Sequence, residues 1–336
     1  MSLPPVEIPL GAMRFNSDSQ KLEYFNGYVW MQIHTFNPDL NSGARGLFMG
    51  GAPAPTAGGD TIEYITIPTA GDAVDFGNMS GNRKYCSSFA SNTRGVVAGG
   101  ETGSGNSDTI EYVTIASTGD VTDFGNLQGA ITYVSGASNQ TRGIVAGGMN
   151  PNDTNRIDYV TIASTGDAAD FGDLSVAKSN TSGTASPTRA LFAGGADWPA
   201  TQMKSTDYLT IASTGNAQDF GDLTQAGVLG STGSSSSTRG VYSGSGQAPY
   251  KHIELFIFTT LGNAIKFGDL TNTMGWAMGT GNCVRGVWGG GQSPTSTNII
   301  EYISMQTEGN GVDFGDLITT GHLSGGACSN GHGGLG

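Results

Sequence analysis

Charge is scarce in this sequence, and positive charge scarcest. Only 13% of the 336 residues are charged, and 15 Lys and Arg stand against 28 Asp and Glu, a formal net charge of −13. Nucleic-acid partners select a basic footprint, so none is expected. The three cysteines (Cys86, Cys283, Cys328) lie too far apart for a disulfide framework or a paired-cysteine metal site. They read as buried free thiols. With 12 prolines and no strict glycine triplet, a collagen helix is excluded. No apolar run reaches the roughly 18 residues of a membrane-crossing helix, so no membrane insertion is expected. The most apolar stretch, 253–258, is strand-length and carries Glu254. Residues 1–13 lack the basic and apolar regions of a secretory leader. Sustained helical periodicity is missing as well, and almost no helix is expected.

What the chain does have is glycine, 55 residues of it, and a repeat. An (Ile/Val)-acid-Tyr-x-Thr-Ile run, a Ser-Thr-Gly-(Asp/Asn) turn and an Asp-Phe-Gly-(Asp/Asn)-Leu run recur together. The Phe-Gly pair begins at Phe76, Phe124, Phe171, Phe220, Phe267 and Phe314, spaced by 47 to 49 residues. A second landmark, Arg before a short apolar run, recurs at Arg45, Arg94, Arg142, Arg189, Arg239 and Arg285, spaced by 46 to 50. Each unit parses into four short strands; the second predicts them at 85–91, 95–100, 109–116 and 121–127. β-Branched and aromatic residues between Gly, Asn, Asp and Ser turns carry that reading.

Four antiparallel strands at this period read as blades, and the fold class expected is all-β, a six-bladed β-propeller over 43–336. Small residues six before each Arg (Ser88, Gly136, Gly183, Gly233, Gly279) suggest inner strands converging on an axis. Gly326 stands six before His332, which is read as taking the Arg place. The first unit has no strand one, and the C-terminal segment 322–329 is a strand one with nothing after it. Pairing the two closes the ring and removes two exposed edges.

The units resemble kelch repeats, with Phe-Gly where kelch repeats carry Trp. More closely, TRGVVAGG…IEYVTIASTGDVTDFGNL resembles the kelch-like repeats of structural proteins in tailed bacteriophages, notably of marine bacteria. Residues 11–30, with Arg14, Phe15, Lys21, Glu23, Tyr24, Asn26, Gly27, Tyr28 and Trp30, resemble a short module of phage tail fibres. That resemblance implies a virion protein, made in the bacterial cytoplasm and forming a homo-oligomer in the particle. Residues 1–42 would be a β-hairpin attachment segment contacting other virion proteins, with Arg14, Phe15, Tyr24, Tyr28 and Trp30 the contact residues. Physically, Asn26-Gly27 is a hairpin turn flanked by Leu22, Tyr24, Val29 and Trp30. A hairpin this small needs a partner surface.

Little else points to chemistry. Asp-Phe-Gly resembles a kinase metal-binding motif, but it repeats in five units without a kinase catalytic loop and reads as blade packing. The repeated acid (Glu63, Glu111, Asp158, Asp207, Glu254, Glu301) and the repeated Arg read as a structural ion pair or an Arg-to-carbonyl bridge. His34, His252, His322 and His332 have no metal-ligand spacing. No catalytic residue, metal or cofactor is expected. The units disagree most in the loops between strands two and three and in the connections to the next unit, which emerge on one face. There, Trp198 and Lys204 in one loop and Tyr250 and Lys251 in the next are the candidate ligand-binding residues, since flat aromatics stack on sugars or peptides. The function expected is non-enzymatic: a tail-fibre-like propeller binding a host-surface receptor, glycan or protein. The alternatives are a purely structural capsid or baseplate component, and a glycan-acting enzyme on the same scaffold.

Overall fold

The computed structural model describes residues 8–16, 21–32, 44–51, 59–197, 201–225, 232–244, 251–292, 295–320, 322 and 324–335. The chain divides into two compact units, Met1–Ser42 and Gly43–Gly336.

The second unit is all-β and propeller-like, and its described residues form six four-stranded antiparallel sheets, here I to VI. Sheet II comprises Ser87–Ala90, Arg94–Ala98, Thr109–Thr114 and Thr122–Asn126, within each segment expected of it or one residue outside. Its order is the chain order, innermost strand first. Sheets III to VI repeat it, with innermost strands Ser135–Ser138, Ser182–Ala185, Thr232–Ser235 and Met278–Gly281. Sheet I is composite. Gly326–Ser329, from the C-terminus, pairs antiparallel with Arg45–Met49, which continues into Gly59–Thr66 and Val74–Arg83. The only helical turn among the described residues is a 3-10 turn at Gly333–Leu335.

The Phe-Gly repeat earns its place through a bulge. In sheet II, Glu111 faces Asp123 and Ile110 faces Gly125, so Phe124 is the extra, unpaired residue. Its ring is buried and meets Tyr112 edge-on, with centroids 5.9 Å apart. The following glycine sits at a positive φ of 143–151° in five sheets. In all six sheets a Cβ there would collide with the backbone of a glycine in the next sheet's turn: Gly125 with Gly166 O at 2.5 Å, Gly315 with Gly71 O at 2.5 Å. That turn glycine donates back, Gly166 N to Phe124 O at 2.7 Å and Gly71 N to Phe314 O at 2.8 Å. Each sheet thus latches onto the next, and sheet VI latches onto sheet I.

The landmark arginines form a second set of ties. Each donates from Nη1 to a carbonyl at the end of strand three in the next sheet: Arg45 to Ile115, Arg94 to Ile162, Arg142 to Ile211, Arg189 to Phe258, Arg239 to Met305 and Arg285 to Ile67, at 2.6–2.9 Å. Five also lie over the Tyr of their own sheet, as Arg94 does over Tyr112 at 4.5 Å. The core follows the same cycle. Apolar clusters fill the space between each sheet and the next, including one between VI and I that joins Met278 and Val287 to Phe48 and Ile65.

Two details differ from the sequence reading. Ala327, not Gly326, occupies the place of Ser88 and Gly136: Ala327 faces Phe48 as Ser88 faces Val97 and Gly136 faces Val145. Arg45 is therefore the landmark Arg of the composite sheet, and His332 lies beyond it. The small residues at this place answer to backbone as much as to an axis: a Cβ on Gly183 would lie 2.1 Å from Gly136 O.

The first unit is a three-stranded meander, Met13–Asn16, Lys21–Phe25 and Trp30–Gln32. The Asn26 side chain accepts from the Tyr28 and Val29 amides, and Gly27 takes φ +95°, as the hairpin turn requires. On one face, Arg14 pairs with Glu23 at 2.8 Å and lies 4.2 Å over the Trp30 ring. On the other, Met13, Phe15, Tyr24 and Met31 are exposed.

Candidate functional site

The described parts of the variable loops gather at one side of the second unit. Lys84 bridges Glu101, Ser179 bridges Ala196 and Gly275 bridges Gln292, so in these sheets the connection into the inner strand runs beside the loop between strands two and three. The repeated acids hold these connections down. Each is buried in strand three and accepts from the connection of the sheet before it. Glu301 takes the Thr271 and Asn272 amides at 2.8 and 2.7 Å, and Glu254 takes the Thr224 amide and hydroxyl at 2.9 and 2.7 Å. Arg83 pairs with Glu111 at 3.0 Å and Lys178 with Asp207 at 3.1 Å, and the His322 ring lies 3.0 Å from Glu63. Burial alone would raise Glu63. The hydrogen bonds from His322, Thr319 and Ile318 outweigh it and hold the carboxyl below its ordinary value. The landmark arginines are not the partners of these acids; they sit at the opposite end of the sheet, on carbonyls.

A cavity of about 130 Å³ runs between the innermost strands. Its wall is mostly small and hydroxyl-bearing residues, and none of the described lining residues is Asp, Glu, Lys or Arg. Several hydroxyls bond the neighbouring inner strand, as Ser138 does to Ala90 O at 2.8 Å. Thr184 Oγ1 meets Tyr242 OH at 2.5 Å. The hydroxyls of Ser87, Ser88, Thr181, Ser182, Ser234, Thr280 and Ser324 are buried and make no hydrogen bond among the described residues.

The two ends of the cavity differ. At one, the C-terminal tail folds inward: a Cβ on Gly333 would lie 2.1 Å from Ser236 O, and one on Gly334 within 1.9 Å of Ser138 O. His332 Nε2–H donates to Ala90 O at 2.9 Å while Nδ1 accepts from Gly334 N at 3.1 Å. Burial holds this imidazole below its ordinary pKa, against the Ala90 hydrogen bond. At the other end, beside the variable loops, sits a collar of residues with φ between 53° and 63°: Tyr85, Tyr133, Asn180, Trp276 and Ser324. Their backbones link around the opening: Tyr85 N to Ser324 O, Tyr133 N to Tyr85 O, Asn180 N to Tyr133 O and Ser324 N to Trp276 O, at 2.6–3.1 Å. Tyr85 and Tyr133 stack with centroids 4.1 Å apart. Burial, with Tyr85 alongside, raises the Tyr133 phenol above its ordinary pKa.

No protein-family model matches the chain, and no curated protein matches it either.

Of the residues singled out from the sequence, Trp198 and Tyr250 lie outside the described residues. Lys204 and Lys251 occupy equivalent places and are exposed; each donates to a carbonyl of the following connection, Thr224 O at 3.2 Å and Thr271 O. They brace loops while leaving two ammonium groups on the variable face. In the first unit, Arg14 and Trp30 are engaged with each other, and Phe15, Tyr24 and Tyr28 are exposed. The collar went unnoticed in the sequence. A signal was there: Tyr85, Tyr133, Asn180 and Trp276 each stand three residues before the small inner-strand position.

Proposed function

We propose that the chain is a six-bladed β-propeller, closed by its C-terminal strand, that serves as a non-enzymatic adhesion protein of a tailed bacteriophage. It is tail-fibre-like: the variable face binds a host-surface receptor, a glycan by preference, and the N-terminal meander attaches the propeller to other virion proteins. The observation that carries the reading is the polarity of the second unit. One side is locked by repeated latches and arginine ties, and the other carries the described parts of the loops in which the units differ, around a cavity with an aromatic rim. Sequence variation confined to loops on a fixed scaffold is how recognition surfaces are built. Attachment through the meander is supported by its exposed face of Met13, Phe15, Tyr24 and Met31, beside the exposed Tyr28.

The test has two arms. The purified protein is applied to a glycan array and to host cells, with selective binding expected. Residues 1–36 are then deleted and assembly followed in virions, where a folded propeller absent from the particle is expected. A blank array together with no host-cell binding refutes the adhesive role, and incorporation of the truncated chain refutes the attachment role.

A further inference from the structure

We infer that His322 is held as an imidazolium that pins the closing connection to sheet I, and that the seam between sheets VI and I loosens when this side chain loses a proton. The inference rests on the closed-propeller reading and gives the closure a dependence on pH. Three observations carry it. First, both nitrogens of the imidazole face acceptors. Nδ1 meets Gly50 O, and Nε2 lies 3.0 Å from Glu63 Oε1. A carbonyl oxygen and an ionised carboxylate only accept, whereas a neutral imidazole has one N–H to give. In the neutral form one nitrogen lone pair therefore points at an oxygen. Glu63 does not supply the second proton: its two oxygens accept the Ile318 and Thr319 amides at 2.8 and 2.9 Å, which favours the ionised carboxylate. Only the imidazolium satisfies both contacts.

Second, the repeat puts two cations in the same place. Arg83, Lys178 and His322 each stand two residues before a collar residue, Tyr85, Asn180 and Ser324 respectively. Each addresses the repeated acid of the following strand three, Glu111, Asp207 and Glu63, and all six side chains are no more than 4% exposed. Each also reaches a backbone carbonyl nearby: Arg83 to Thr109 O at 3.4 Å, Lys178 to Ser205 O at 3.3 Å and His322 to Gly50 O. The place asks for two donors, one for a carboxylate and one for a carbonyl. Arg and Lys have them, and His has them only when charged. Burial disfavours each charge, and the opposite charge beside it offsets that cost. Third, the position is the seam. His322 lies between Val312–Asp316, the last strand of sheet VI, and Gly326–Ser329, while Gly50 and Glu63 belong to sheet I. Among the described residues Glu63 is the only charged side chain paired with the imidazole. The end of Arg285–Gly289 brings the backbone of Gly290 and Gly291 against His322, and Arg45 is bonded at the far end of its sheet. A fold that favours the charged ring contributes stability below the ordinary imidazole value, about 6.5, and loses it as pH rises.

Nitrogen NMR of the full chain, isotope-labelled in its histidines, should show His322 with both nitrogens protonated at about pH 6 and with one proton lost by about pH 9. Hydrogen exchange reads the seam. Protection of the Gly326–Ser329 amides, measured relative to the intrinsic rate at each pH, should fall about tenfold between those values, the scale of one charge-assisted hydrogen bond. His322→Lys keeps a cation in the place, as Lys178 does, and its protection should stay level across the range. His322→Gln, neutral at every pH, should start low and stay low. A neutral imidazole at about pH 6 overturns the inference, and so does parent protection that stays level while His322 loses its proton. Both of these are measured on the parent, so they decide even where a variant fails to fold. Amides at 326–329 that exchange at the intrinsic rate at every pH sink the closed propeller and the pin with it. Amides that are protected but indifferent to pH sink the pin alone.

Discussion

Whether the ring is closed in solution can be decided with three glycines. Gly119, Gly172 and Gly315 all sit at φ between 143° and 155°, a region that side-chain-bearing residues adopt only under strain. Alanine at any of the three carries that strain, about 1–3 kcal/mol. Their surroundings differ. A Cβ on Gly119 meets nothing within 4 Å, so Gly119→Ala reports strain alone. On Gly172 it falls 2.6 Å from the Gly215 carbonyl carbon and oxygen, and on Gly315 2.5 Å from those of Gly71. These are backbone atoms and cannot rotate away, so the latch must open. Opening the closing latch gives up Gly71 N–Phe314 O at 2.8 Å and Asp316 N–Asp72 Oδ1 at 3.0 Å. Each is worth about 0.5–1.5 kcal/mol. The excess over Gly119→Ala is therefore about 1–3 kcal/mol. For a unit the size of Gly43–Gly336 the unfolding entropy is about 0.6 kcal/mol per kelvin, so the excess is about 2–5 °C in Tm. Scanning calorimetry of the three variants is the assay. Gly172→Ala and Gly315→Ala should drop together, below Gly119→Ala. If Gly315→Ala instead matches Gly119→Ala while Gly172→Ala falls further, sheet VI does not latch onto sheet I and the cyclic argument fails.

Three other expectations can be measured on the same protein. Deleting 321–336 removes the inner strand of the composite sheet and bares the edge of Arg45–Met49; the truncated chain should aggregate on size exclusion, and an unchanged monomer with an unchanged Tm would refute closure. Trp198→Ala or Tyr250→Ala alone should cut glycan or host-cell binding by roughly thirtyfold, since one aromatic anchor contributes about 2 kcal/mol, and the two together should abolish it while the melting curve holds; binding by the double variant equal to the parent's places recognition elsewhere. His332 is depressed in the folded state, so its contribution is present above its ordinary value of 6.5 and is lost as pH falls through the lower folded value. Protonating Nδ1 removes the acceptor for Gly334 N–H, so the protection of the 333–335 amides, measured relative to the intrinsic exchange rate at each pH, should fall on acidification, and protection that does not change with pH would refute the role given to His332.

How much of this was legible in the sequence depends on how often the chain states each constraint. A demand made in every unit is visible without an alignment, because the repeat is its own alignment. Strand positions, the landmark arginines and the buried acids were found in this way. So was the composite sheet, because a strand one without followers and a first unit without a strand one are complementary gaps. What stayed hidden was the direction of the contacts. The acid and the Arg recur in parallel and have opposite charge, yet they lie at opposite ends of each sheet: the Arg reaches forward to the next sheet's carbonyl, and the acid reaches back to the connection before it. Periodicity counts residues within a unit and is silent about which neighbouring unit a side chain faces. The one-residue slip that set His332 in place of an Arg has the same origin. Spacing located the last strand, but its register comes from pairing Ala327 with Phe48. The tail after it is stated once, and so is its contact with the axis. The cavity hydroxyls were hidden for a third reason. Ser and Thr at inner-strand positions satisfy the demand for small side chains, and that demand alone accounts for them in the sequence. Only the hydrogen-bond inventory separates Ser138, bonded to Ala90 O, from Ser182, bonded to nothing in the protein.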